Sequence, residues 1–174
     1  MPATDHSTIG PIGTIIAQAI GDAGLDSAAM FAEVGLDLES LRDPSVRIPS
    51  DAIIALCERA VERCGDPLFG LHLARYVHPT TFYSLGMAMY FSDNLGAFLS
   101  RYVKYYRMIT TNDQLTLSIE GDSAVLTATP REGMPMVPVR IDGFAALTIS
   151  IMRVALGDSG YGSTSLVLAR PRPH

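Results

Sequence analysis

Four groups of residues carry types that could do chemistry. The first is Gly157-Asp158-Ser159-Gly160, the tetrapeptide that surrounds the nucleophilic serine of one class of proteases. A serine nucleophile needs a histidine base and an orienting carboxylate brought to it by a scaffold, there a pair of β-barrels. Here the tetrapeptide follows a helical stretch in a chain with few strands, and its composition is that of an ordinary loop. It is expected to be a helix-exit loop. The second group is the four histidines, His6, His72, His78 and His174. His72 and His78 are spaced neither as a helical i,i+4 metal pair nor as a zinc motif, so no metal site is expected. The third is Cys57 and Cys64. Seven residues of helix set their Cα atoms ~10 Å apart, beyond the reach of a disulfide. They read as two reduced thiols, which suits a cytoplasmic protein. A Cys–His nucleophile has no support in the spacing. Gly10-Pro11-Ile12-Gly13 has neither the preceding strand nor the lysine of a phosphate loop. No cofactor is expected.

The fourth group is aromatic. Most of the seven Tyr and six Phe lie between Tyr76 and Tyr106, joined by Met87, Met89 and Met108, and there is no Trp. Such side chains can line an apolar pocket and offer it a few hydroxyls, or they can simply form the core between two helices. For a pocket, the expected lining is Tyr83, Met87, Tyr90, Tyr102, Tyr105, Arg140 and Phe144. The tyrosines would orient a ligand, Met87 and Phe144 would supply apolar contact, and Arg140 would pair with an anionic head group. Without a ligand, a buried Arg140 or Arg153 needs an internal anion, for which Asp142 is the candidate. Arg101, Lys104 and Arg107 recur at a spacing of three and read as one solvated helix face.

Positioning these groups falls to a series of helices. Pro11 near the start and Gly24 past the end bracket a helix from Pro11 to Ala23, with Ile12, Ile15, Ile16, Ala19 and Ile20 at helical spacing. Asp26 caps a short helix that stops near Gly35, and Asp37 caps a single turn through Leu41. Ser50 is expected to cap a long helix, Asp51 to Cys64, ended by Gly65. Asp66 and Pro67 open another, reaching Tyr76. Two more follow: Thr81 to Phe91, and one capped by Asp93 or Asn94 that ends near Ile109. Then the period changes to two, and residues 114–129 read as a hairpin turned at Glu120-Gly121-Asp122-Ser123. Residues 139–156 form a helix that is apolar all round and therefore central. Residues 165–169 read as a third strand, and residues 1–8 as polar and frayed. Helices, then a hairpin, then a helix and a strand make an α+β fold.

The 174 residues are enough for one domain with a real core. A net charge of −5 argues against a free-standing nucleic-acid binder. Few charged residues (18%) and a mean hydropathy of +0.23 exclude intrinsic disorder. The N-terminus has no secretory pattern, and Gly143 to Leu156 is shorter than the ~20 residues that span a bilayer.

The order of motifs resembles the N-terminal sensor region of the non-cupin AraC-type transcription regulators. The residues that carry the resemblance are Ala23-Gly24-Leu25-Asp26, Val34-Gly35-Leu36-Asp37, Leu41-Arg42-Asp43-Pro44 and Arg47-Ile48-Pro49. They continue with Gly65-Asp66-Pro67-Leu68-Phe69-Gly70-Leu71-His72-Leu73-Ala74, Ser84-Leu85-Gly86-Met87-Ala88-Met89, Asn94-Leu95-Gly96-Ala97 and Arg101-Tyr102. The hairpin, the apolar helix and Leu166-Val167-Leu168-Ala169-Arg170-Pro171-Arg172-Pro173 complete them. The resemblance implies a cytoplasmic, non-enzymatic domain that binds a small effector, an acid or amphipathic metabolite, and forms a homodimer. It also implies a DNA-binding module of two helix-turn-helix units in about 100 further residues. That module is absent here, so residues 1–174 are expected to be one effector-binding domain, truncated at its C-terminal end, that reaches DNA only through the missing part. Two other readings remain: a ligand-free interaction module, and a small enzyme using Cys57, Cys64 or His72.

Overall fold

The computed structural model describes residues 6–163 and 165–171. Strand β1 (Ser7–Ile9) leads directly into helix α1 (Gly10–Asp22), whose first turn accommodates Pro11 because that position needs no amide donor. α1 buries Ile15, Ile16, Ala19 and Ile20, one apolar stripe at helical spacing. Helix α2 (Ser27–Glu33) is capped by Asp26, whose carboxylate accepts the Ala29 amide at 3.0 Å. A 3-10 turn at Glu39–Arg42 and strand β2 (Arg47–Pro49) follow.

Helix α3 (Ser50–Cys64) stops at Gly65, which takes a left-handed φ of 69° that a side chain would resist. Ser50 starts this helix but does not cap it. Its hydroxyl donates instead to the Asn112 side chain, tying α3 to the far half of the chain. Asp66 accepts the Leu68 amide at 2.8 Å, and this local turn delays the next helix. The expected helix to Tyr76 is therefore a short α4 (Phe69–His72) followed by a 3-10 turn, Leu73–Tyr76. Another 3-10 turn at Pro79–Phe82 precedes α5 (Tyr83–Tyr90). Asn94 caps α6 (Leu95–Ile109), its side chain accepting the Ala97 amide at 2.9 Å. Strands β3 (Asp113–Glu120) and β4 (Ser123–Pro130) form the expected hairpin, with Glu120 opposite Ser123 across the turn. The long helix α7 (Pro138–Leu156) follows, packed on α3, α4, α5 and α6.

Two expectations at the chain's ends are corrected. Ser7 and Thr8 are not frayed: β1 pairs antiparallel with β2, Ser7 opposite Pro49 and Ile9 opposite Arg47. The Ser7 carbonyl also accepts the Thr111 amide at 3.0 Å, so β1 is held from both sides. A three-residue strand shows no period, and its partners are remote in sequence. Residues 1–5 lie outside the described residues. Residues 165–169 are not a third strand. Those described there join no sheet, and Leu166 and Val167 are exposed. The segment is held by Arg170, which reaches the Asp142 carboxylate of α7 at 2.5 Å. The two two-stranded antiparallel sheets, β1–β2 and β3–β4, stay separate among helices, and the fold is α+β.

Helices α4 and α7 approach backbone to backbone. A Cβ on Gly70 would lie 2.4 Å from the Val139 carbonyl oxygen and 3.0 Å from the Gly143 nitrogen. Glycine is required there by the contact, not by its dihedral freedom.

Candidate functional site

A cavity of about 110 Å³ lies among α1, α3, α6 and α7, with β1 beside it. Each wall follows from a helical stripe. α1 contributes Ile12 and Ile16, and α3 contributes Ile53, Ile54 and Cys57. α7 contributes Val139, Phe144, Leu147 and Ile151, while Leu73, Phe82 and Ile109 complete the apolar surface. Along α6, Phe98, Tyr102 and Tyr106 recur every four residues. The Phe98 and Tyr102 rings stack at 6.1 Å between centroids, Tyr102 meets Tyr106 edge to face at 5.5 Å, and Tyr106 meets Phe144 of α7 edge to face at 6.2 Å.

The polar side chains are Thr8, Thr110, Asn112, Asp113, Arg140 and the two tyrosines. Asp113, the first residue of β3, makes an ion pair with Arg140 of α7, both side chains nine-tenths buried or nearly so. The Tyr106 hydroxyl donates to the other Asp113 oxygen at 3.3 Å. The Arg140 Nη1 group reaches the Pro135 carbonyl and the Met136 sulfur. Its Nε–H is buried and has no partner among the described residues. Deeper in, the Tyr102 hydroxyl meets Thr148 at 3.3 Å.

Burial sets the protonation of the walls. It pushes the Cys57 thiol and the Tyr102 hydroxyl up to about 12 each, and Tyr106 well above its usual value. All three are neutral at physiological pH. The lining therefore carries one negative and one positive group, Asp113 and Arg140, already joined. A thiol that does not ionise is a poor nucleophile. His72 is occupied on the outside with Asp66 at 2.7 Å, and His6 bonds the Glu132 carbonyl. Among the described residues no cluster of His, Cys, Asp and Glu could hold a metal ion. Gly157 ends α7 in the left-handed region, and Asp158 accepts the Gly160 amide, the expected helix-exit loop. The arrangement can hold a small molecule, and the Cys57 thiol in its wall is not activated.

Of the residues expected to line a pocket, Tyr102, Arg140 and Phe144 face the cavity. Tyr83, Met87, Tyr90 and Tyr105 do not, and each is 36–41% exposed. The reason is register. α5 turns Gly86 and Met89 inward, which leaves Tyr83, Met87 and Tyr90 on the outer face. On α6 the inward residue is Tyr106, not Tyr105. Tyr106 is four residues from Tyr102, and that spacing was the available signal. The internal partner of Arg140 is Asp113 and not Asp142, because Asp142 sits a half-turn away and is claimed by Arg170. Nothing local in the sequence marks Asp113. Arg101 is not simply solvated either: it bonds the Ser92 hydroxyl just past α5 at 2.7 Å and reaches the Ala88 carbonyl of α5 at 3.4 Å.

An apolar cavity with one paired polar end has the make-up of a small-molecule-binding site. The family described as the arabinose-binding domain of AraC transcription regulators, N-terminal, matches residues 24–174. The chain belongs to this family and is an effector-sensing regulatory domain of the AraC type. It is also similar to the ornithine utilization regulator of Pseudomonas aeruginosa, 28% identical over 142 residues. That match covers 80% of this chain and 41% of the relative, so the chain spans about two fifths of the relative's length. Among the described residues no helix is long and apolar enough to cross a membrane.

Proposed function

We propose that the cavity among α1, α3, α6 and α7 is the effector site, contacted by Tyr102, Arg140 and Phe144 among others. The observation that carries this reading is the cavity itself, apolar on most sides and polar at one end. Helices α6 and α7 both line it. An effector that fits one arrangement of the two helices better than another shifts the balance between them by that difference in affinity. The shift is read by a DNA-binding part of the same regulator, in a cytoplasmic protein that is not an enzyme. The outer stripe of α5, Tyr83, Met87 and Tyr90, is the surface through which two copies pair, and Tyr105 is a second exposed aromatic on neighbouring α6.

The relative's name points to ornithine, but this cavity suits a different ligand. Ornithine carries two ammonium groups, and Asp113 is the one acid among the lining residues. A thermal-shift panel of amino acids, organic acids, sugars and neutral aromatics tests the reading. An effector at 100 times its Kd adds about 2.7 kcal/mol to stability. A Leu147→Trp variant, which fills the cavity, should lose that response. Absence of any response, or a response equal in the filled variant, would refute the site and favour the ligand-free interaction module. Light scattering on wild type and on a Tyr83→Glu, Tyr90→Glu variant tests the pairing: the variant should be monomeric, and a mass equal to the wild type's dimer would refute the α5 surface.

A further inference from the structure

We infer that Phe82 and Tyr83 form a strained latch between the cavity and the outer face of α5: an occupant of the cavity displaces the Phe82 ring, Tyr83 leaves its strained backbone conformation, and α5 turns. This rests on the cavity being the effector site. Tyr83 has a φ of 52° and a ψ of −137°. Among the described residues it is the one non-glycine with a positive φ. These angles are close to those of the first central residue of a type II′ turn, a position that favours glycine because a Cβ is crowded there. A bulky residue keeps such a conformation only where its surroundings over-determine it, and strain of this kind collects at switch regions.

Tyr83 is held from both sides along the chain. Before it, the Phe82 ring is 5% exposed and lines the cavity. The 3-10 turn that carries Phe82 is itself pinned: the His78 amide donates to the Thr81 hydroxyl at 2.9 Å, and the Thr81 amide to the His78 carbonyl at 2.9 Å. After it, Gly86 of α5 lies so close to the Pro79 carbonyl oxygen that no Cβ fits between them. The Tyr83 side chain is 38% exposed, so its own packing does not account for the strain. Of the two restraints, the Gly86 contact is backbone on backbone, whereas the Phe82 ring borders open space. Phe82 is therefore the restraint that an occupant can remove. The far end of α5 is tied to α6 through Arg101, so a change at Tyr83 turns the helix about that end. The turn carries Tyr83, Met87 and Tyr90 with it, and occupancy inside is read on the pairing stripe outside.

Glycine and alanine at position 83 separate strain from side chain, since both remove the ring and only glycine accepts these angles without cost. In urea unfolding of the whole chain, Tyr83→Gly should be more stable than Tyr83→Ala by at least fivefold in the unfolding equilibrium constant, against the usual helix preference for alanine. The advantage should fall below twofold in a Phe82→Ala background, where the wedge is gone, and in a Leu147→Trp background, where an indole fills the cavity. Phe82→Leu takes the place of Phe82→Ala if the latter does not fold. No advantage for glycine in the otherwise native chain means that no strain is stored, and overturns the latch. An undiminished advantage in either background overturns its link to the cavity. Hydrogen exchange read by mass spectrometry follows the outer face: Phe82→Ala should speed exchange along α5 at least tenfold more than along α6, and an equal change in both overturns the turning of α5. Failure of the thermal-shift panel refutes the effector site and leaves these ratios where they are.

Discussion

Replacing Arg170 by alanine removes the partner of one of the most buried carboxylates in the fold. The Asp142 side chain is 3% exposed and that of Arg170 is 7% exposed. Breaking a buried ion pair by deleting one member costs about 3–5 kcal/mol, because the survivor keeps its desolvation and loses its compensation. Asp142 has an escape, since it can take up a proton. Burial already holds its carboxyl above the ordinary carboxylate range, with Arg170 pulling the other way. Without Arg170 it rises further. The folded variant then holds a proton that the unfolded chain has released, so its stability falls as pH rises from about 4 toward the raised value. The slope is at most about 1.4 kcal/mol per pH unit. Urea unfolding followed by circular dichroism should give a loss of about 3–5 kcal/mol at pH 8 and less than half of that at pH 5. Adding Asp142→Asn should remove most of the pH dependence. A loss below about 1 kcal/mol at both pH values would show that residues 165–171 are not held to α7 by this pair and would refute the reasoning.

Gly70→Ala should destabilise by about 1–3 kcal/mol or more despite alanine's better helix propensity, because the new methyl meets backbone rather than a movable side chain; an unchanged urea midpoint would contradict the α4–α7 contact. At pH 8 a thiol reagent should label half-buried Cys64 and spare Cys57, whose burial holds it up to about 12, until the protein unfolds. Equal labelling of both in the native state, read by mass spectrometry, would refute that burial. Phe98→Ala should cost about 3–5 kcal/mol, since the ring is 2% exposed and begins the aromatic stack on α6. Tyr102→Phe should cost only about 1 kcal/mol, one hydroxyl contact, and a larger loss would mean that Thr148 is held by that bond alone.

The helices were legible because each announces itself locally. Pro11, Asp26, Asn94, Gly65 and Gly157 all start or stop helices where their chemistry suggests, and the hairpin follows from the alternation of Leu115, Leu117 and Ile119. Pairings between distant segments were not legible. β1 is three residues long and is recognised only by β2 and Thr111. Residues 165–169 carry a short apolar run that reads as a strand, but they find no partner to complete one. The same division runs through the site. Tyr102, Arg140 and Phe144 could be singled out as chemically capable. The choice of Tyr106 over Tyr105, and of Asp113 as the partner of Arg140, depends on helix rotation and on where β3 begins. Those are set by packing, and composition carries no trace of them.

The cavity wall contributed by β1 and α1 has a practical consequence for where this domain is taken to begin. The family match starts at residue 24, yet Thr8, Ile12 and Ile16 face the cavity from the segment before it. A protein cut at that boundary would keep every residue the family recognises and lose one side of the chamber, along with the strand that closes on Arg47 and Thr111. Such a fragment could pass for the domain by sequence and still lack one wall of the proposed effector site. The segment that precedes the family match is a structural wall of the cavity.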